Sequence, residues 1–256
     1  VIHATAIVDE SAIIGQNVKI GPFAIIGPNV VIGDDCDIQA HAIVQGPTVL
    51  GKNNKVYSFA SIGCDPQDKK YAGEDTRLVI GDNNVFRESC TISRGTAQDN
   101  SETRIGNDNL FMAYTHVAHD CIVGNHVILA NTATLAGHVE VGDYAILGGF
   151  TGIHQFCKVG QHSFCAVGSV VVQDVPPCVT VAGQNAVPKG INSEGLKRRG
   201  YSKEQISAVK KAYKVIYRQG LRINEALDAL QSMAVEQEHI NMFVDFIQAS
   251  NRGLVR

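Results

Sequence analysis

Residues 14–33 read IGQNVKIGPFAIIGPNVVIG, with an Ile-Gly pair at 14–15, 20–21, 26–27 and 32–33. The rhythm is a period of six. Ile38, Val44, Leu50, Val56 and Ile62 keep its phase, and Ile80, Phe86 and Ile92 rejoin it after a polar excursion. A one-residue slip follows. Ile105, Phe111, Val117, Val123, Leu129, Leu135, Val141, Leu147, Ile153, Val159, Cys165 and Val171 then continue without a break. Six fits neither a 3.6-residue helix nor plain strand alternation. It fits a solenoid whose coil has three short flat faces, with one inward residue per face. Three faces of six residues make a coil of about 18, so residues 18 apart sit one above another.

Composition agrees with a narrow apolar interior. The chain of 256 residues is 45% hydrophobic, has no Trp, and is rich in Gly and β-branched residues. No stretch approaches the ~20 apolar residues of a membrane span. The repeat begins almost at Val1 with no basic flank, so the sequence predicts no signal peptide and a cytoplasmic location, and the missing Met suggests processing. Seven Cys with no C-x-x-C pair read as reduced thiols acting as small hydrophobes, with Cys165 on the inward grid.

Charge is uneven. Residues 186–256 hold 12 Lys and Arg against 7 Asp and Glu, whereas residues 1–185 hold 10 against 18. A net +5 tail on a net −8 solenoid suits an acidic partner or a phosphate.

The expected organisation is a solenoid over 1–185 and a small helical domain over 186–256. Grid positions inside the first excursion, Asp65 to Glu74, fall on Asp68 and Glu74. Charges cannot point into an apolar interior unpaired, so this segment must loop outward. Arg94 to Thr103 forms a second polar excursion. Ser202-Lys203-Glu204-Gln205 predicts a capping box ahead of the apolar face Ile206, Val209, Tyr213 and Ile216, with Gly220 as the stop. Asn224 is the expected cap of a helix carrying Leu227 and Leu230. Ile240, Phe243 and Ile247 suggest another. These helices should pack on the solenoid or on neighbouring subunits.

The histidines carry the functional signal. His119, Gly137 and Gln155 are 18 apart and stack in one column, with His138 one step after it and His154 one step before. His116 completes the group. Asp120 beside His119 would fix the tautomer of a general base, and the small Gly137 could bring its N–H to an oxyanion. No Ser or Cys sits in a nucleophile arrangement, so direct transfer is simpler than an acyl-enzyme. A zinc site using His116-x-x-His119 is the metal alternative.

The hexapeptide repeat resembles the left-handed parallel β-helix acyltransferases. Five segments narrow the resemblance to the acyl-ACP–UDP-N-acetylglucosamine O-acyltransferases of lipid A biosynthesis. They are Pro66 to Tyr71, His116-Val117-Ala118-His119-Asp120, Leu135-Ala136-Gly137-His138, Ile153-His154-Gln155-Phe156 and Asn192 to Gly200. The resemblance implies a mainly β, left-handed coil with a C-terminal helical domain, assembled as a homotrimer with sites between subunits. It implies transfer of an (R)-3-hydroxyacyl group from acyl carrier protein to the 3-hydroxyl of UDP-N-acetylglucosamine, the first step of lipid A and hence lipopolysaccharide synthesis. No bound cofactor or metal is implied. The 4′-phosphopantetheine arrives on acyl carrier protein.

By the same resemblance His119 is the base, Asp120 its partner and Gly137 the oxyanion donor. Asp68, Lys70, His116, His138, His154, Gln155, Asn192, Glu194, Arg198 and Arg199 bind substrate, and the basic tail meets acyl carrier protein. Val167 stands where this family measures acyl length, with Phe164 nearby, and where a glycine admits longer chains. Val167 therefore predicts donors of about 10–12 carbons, each methylene being worth only ~0.8 kcal/mol without a steric floor. A related N-acyltransferase, a coenzyme-A-dependent acetyltransferase, a carbonic-anhydrase-like zinc trimer and a purely structural solenoid are weaker readings. The immediate start of the repeat disfavours the first, the helical tail the second. The stacked histidines disfavour the last.

Overall fold

The computed structural model describes all 256 residues. Strands of two to four residues wind into a three-faced parallel coil. Face I runs from Ile7–Val8 to Val170–Val171, face II from Ile13–Ile14 to Lys158–Val159, and face III from Lys19–Ile20 through Phe164–Cys165. Every pairing between coils is parallel, and regular coils pair residues 18 apart, as in Ile7 with Ile25 and Leu129 with Leu147. Where Ile62 pairs with Ile92 the step is 30 residues, and from Ile92 to Val117 it is 25. Both excursions leave the coil at the corner between faces I and II.

From Val18 and Ile20 onward, each hexapeptide buries two residues, not one. Beside the grid residue, the small residue two positions earlier is also sealed: Ala24 with Ile26, Cys36 with Ile38, Ala133 with Leu135, Cys157 with Val159. The single inward residue read from the period missed this second site because Ala, Cys, Ser and Val share it without a common apolar signature. It holds four of the seven cysteines, Cys36, Cys90, Cys121 and Cys157. Six of the seven are buried. Burial pushes the thiols of Cys121, Cys165 and Cys178 up to about 12.

Polar groups also enter the interior, in register. Asn54 accepts from the backbone N–H of Asn84, Asn84 from that of Asn109, and Asn109 from that of Val127. The three amides donate in turn to the carbonyls of Gly81, Gly106 and Gly124. This ladder satisfies turn groups that a sealed interior would otherwise strand.

The coil closes with an antiparallel hairpin, Val179–Ala182 against Val187–Ile191. The expected boundary at 185/186 falls in its turn, so the second segment begins as a strand of the solenoid's own sheet. Four helices follow: α1 (Ser193–Arg198), α2 (Lys203–Tyr217), α3 (Ile223–Glu236) and α4 (Asn241–Ala249). Ser202 and Gln205 form the expected capping box on α2. Asn224 does not cap α3. The helix starts one residue earlier, and Glu225 accepts from the N–H of Arg222 instead. Helix α1, six residues long, is too short to show a period and was not expected. The helices share a small core that includes Cys178 of the coil, with Ile191 and Tyr217 bridging to the main core. Near the C-terminus Asp174 pairs with Leu254, tying the tail back to the coil. No helix is long and apolar enough to cross a membrane.

Candidate active site

Turns between faces I and II carry the histidine column. His119 and Asp120 lie in one such turn, Gly137 and His138 in the next, and Gln155 and Phe156 in the third. The His138 N–H donates to the His119 carbonyl (3.0 Å) and the Phe156 N–H to that of Gly137 (3.1 Å). Asp120 and His138 take left-handed backbone angles, φ 59° and 63°. Such angles are uncommon outside glycine, and Asp and His are among the side chains that tolerate them.

His119 Nδ1 lies 2.8 Å from Asp120 Oδ2. An ionised carboxylate only accepts, so Nδ1 carries the proton and Nε2 keeps a free lone pair. The Asp120 side chain is fully buried. Thr96 donates to it twice, from its backbone N–H (2.9 Å) and its hydroxyl (2.6 Å), and the Asp120 N–H donates to Thr103 Oγ1 (2.8 Å). The carboxylate is thus held in one orientation from the second excursion. A Cβ at Gly137 would sit 2.6 Å from His119 Cε1, so any larger residue there would displace the imidazole. Its own N–H donates to no protein acceptor. A substrate oxygen at that point would satisfy it.

The neighbouring imidazoles are each held differently. His138 stands edge-on to His119, centroids 5.1 Å apart, and stacks on Phe156 at 4.4 Å. His116 Nδ1 pairs with Thr91 Oγ1 (2.7 Å), and burial, then the nearby His119, holds its pKa below the usual histidine range. Arg252 donates to His154 Nδ1 (3.1 Å). Asp68 accepts from the Lys70 N–H (2.9 Å), which turns the first loop upon itself. Arg94 anchors that loop: it donates to the Gly63 carbonyl (2.6 Å), to Tyr71 Oη (3.0 Å) and to Asp65. Sequence reasoning missed Arg94, Thr96 and Asp99. The excursion's polarity was its only signal.

A possible metal centre coincides with this corner. His119, Asp120 and His138 place ligand atoms within 4.8 Å of one another. His116 is not in that group, which corrects the ligand pair expected for zinc.

The remaining expected residues do not join this corner. Asn192, Glu194, Arg198 and Arg199 lie on or beside α1, against face III, around a groove of about 720 Å³. Its floor is an outward apolar row, Leu110, Ile128, Ile146 and Phe164. Asn192 caps α1 by accepting from the Gly195 N–H (3.1 Å) and donates to the His162 carbonyl (2.9 Å). The Arg199 guanidinium lies 4.7 Å above the Tyr144 ring. Val167 stands at the following turn, 73% exposed, and does not line the groove.

His162 underpins this second cluster. It is buried, stacks on Tyr144 at 4.9 Å, and meets Tyr201 Oη at 3.2 Å. Burial and then Arg199, opposed by Asp143, hold its pKa down at about 4. The unfolded chain takes up this proton near pH 6.5, the folded chain only near 4. Its contribution is therefore intact above about pH 6.5 and lost as pH falls toward 4. The His162 contribution should be about 2 kcal/mol smaller at pH 5 than at pH 7.5. Phe occupies the equivalent left-handed turn position at residues 23, 59, 150 and 156. His162→Phe should remove about that much of the acid loss, read from denaturation midpoints at the two pH values. Equal losses in parent and variant would refute the assignment.

A parallel coil built on hexapeptides, with a His–Asp pair at its corner, defines a hexapeptide acyltransferase. Residues 11–46 and 102–137 match the bacterial transferase hexapeptide family, and 174–255 match the family described as Udp N-acetylglucosamine O-acyltransferase, Domain 2. The acyl-[acyl-carrier-protein]–UDP-N-acetylglucosamine O-acyltransferase of Thiobacillus denitrificans is 56% identical over 200 residues, 78% of each chain. The UDP-N-acetylglucosamine acyltransferase structure from Francisella novicida superposes with a TM-score of 0.98 at 46% identity, covering 100% of this chain and 94% of that one. The enzyme from Moraxella catarrhalis gives 0.98 at 47%, covering 100% and 99%. The chain belongs to the acyl-[acyl-carrier-protein]–UDP-N-acetylglucosamine O-acyltransferase family, and its coil is the left-handed parallel β-helix.

Proposed function

We propose that this enzyme transfers an (R)-3-hydroxyacyl group from acyl carrier protein to the 3-hydroxyl of UDP-N-acetylglucosamine, the opening step of lipid A synthesis. The observation that carries the chemistry is the His119–Asp120 pair beside the unpaired Gly137 N–H. His119 Nε2 takes the hydroxyl proton as the oxygen attacks the thioester carbonyl carbon. The Gly137 N–H receives the oxyanion. The C–S bond then breaks, and the His119 imidazolium returns its proton to the departing pantetheine thiolate. An ester and a free thiol result, and no group need be bound beforehand.

Two clusters on different sides of one coil support a homotrimer. The corner with His119, Asp68 and Lys70 from one protomer would face Asn192, Glu194, Arg198 and Arg199 of the next. Guanidinium forks suit the diphosphate. Helix α2 exposes Lys203, Lys210, Lys211 and Lys214, a face suited to acidic acyl carrier protein.

Val167 sets donor length in this reading, at the turn beyond Phe164. Parent protein assayed with 3-hydroxyacyl carrier proteins of several lengths should prefer about 10–12 carbons, and Val167→Gly should shift the optimum to longer donors. No transfer by folded parent protein would refute the function. Equal turnover of longer donors by the parent would refute the role of Val167 alone.

A further inference from the structure

The second excursion does more than hold Asp120. Four residues span Thr96 to Asp99. Thr96 grips Asp120, and Asp99 Oδ2 lies 2.8 Å from His138 Nδ1. The corner therefore carries two imidazole–carboxylate pairs with centroids 5.1 Å apart, one built within a turn and one across 39 residues. The His138 side chain is 16% exposed, so few other partners reach its ring. Its other nitrogen, Nε2, is 3.9 Å from Asp120 Oδ2, too far for a hydrogen bond.

Resting on the acyltransferase reading, we infer that Asp99 is a positioning residue that fixes the tautomer of His138, making His138 Nε2 a hydrogen-bond acceptor for a hydroxyl of the acceptor sugar. The argument is one of donors and acceptors. A carboxylate on Nδ1 demands the proton there, which leaves neutral His138 with its lone pair on Nε2. Free imidazole side chains carry no such constraint. Stacking on Phe156 fixes the ring plane, and Asp99 fixes which edge accepts. His119 is set the same way by Asp120, so both rings would present lone pairs to the cleft. One lone pair removes a proton, and the other receives a hydrogen bond without taking the proton.

The test uses intact protein with ¹⁵N-labelled histidine, the His138 signal being assigned by its loss in His138→Ala. At pH 8 the parent should show His138 protonated on Nδ1. Asp99→Ala should move it toward the Nε2–H form, and Asp99→Asn, whose amide oxygen can still accept, should restore it. In steady-state kinetics Asp99→Ala should raise KM for UDP-N-acetylglucosamine about five- to tenfold with kcat within about twofold. In a His138→Ala background the same change should add nothing. A parent His138 protonated on Nε2 overturns the inference, as does an Asp99→Ala penalty that persists without His138. The tautomer measurement needs no turnover, so a parent inactive in transfer would refute the proposed function and leave this test standing.

Discussion

His119→Ala should lower turnover by about 10²–10⁴-fold while the coil stays folded. The size follows from the loss of a positioned base for which the corner has no substitute in place. His119 Nε2 alone combines a free lone pair with a neighbouring oxyanion donor. His138 is the next ring, perpendicular to His119 at 5.1 Å, but its own lone pair is the one assigned to a sugar hydroxyl. His116 is engaged by Thr91 and His154 by Arg252. Folding should survive because the ring lies over Gly137 at a turn and leaves the interior stack untouched. Circular dichroism and thermal melting check that. Asp120 then keeps two Thr96 donors, so its carboxylate is not stranded. Activity retained within about tenfold would remove His119 as base without touching the family assignment.

The fold was legible in the chain because the coil repeats itself. Ile14, Ile20, Ile26 and Ile32 state the period, and each later turn restates it. The histidine column was legible for the same reason, since a spacing of 18 converts sequence distance into height. Phe164 stands 45 residues after His119, which is two and a half coils, so it lies around the prism from the base. What counting cannot reach are contacts made by segments off the grid. Thr96 and Asp99 find Asp120 and His138 only because seven residues beyond the regular coil fold back over the corner. Asn192, Arg198 and Arg199 sit past the last coil, on a helix too short for a periodic signal. Their side of the molecule was fixed by Asn192 docking on the His162 carbonyl, a contact across 30 residues.

That separation makes a strong prediction. Neither His119→Ala nor Arg199→Ala protein should be active alone, yet unfolding, mixing and refolding the two together should restore transfer. In one protomer His119 occupies the corner of faces I and II, and Arg199 lies over Tyr144 against face III. A single chain cannot bring both to one ligand without breaking the coil. In the proposed homotrimer, a closed ring with heterologous contacts, each site would take its corner from one protomer and its α1 cluster from the neighbour. Random mixing at equal amounts then leaves about a quarter of sites with both parental residues, and as many with neither. Recovered activity should approach about a quarter of the parent's, and should be absent when the two proteins are mixed without exchange of subunits. If each site were built within one chain, every site in the mixture would lack one residue and no recovery would occur. Pairing His119→Ala with Asp120→Asn supplies the control. Those residues share one turn, so under the same exchange their sites complement freely only if a protomer with both intact were present, and none is. In that mixture every corner stays damaged, and the activity of the ring should not exceed the mean of the two variants measured alone.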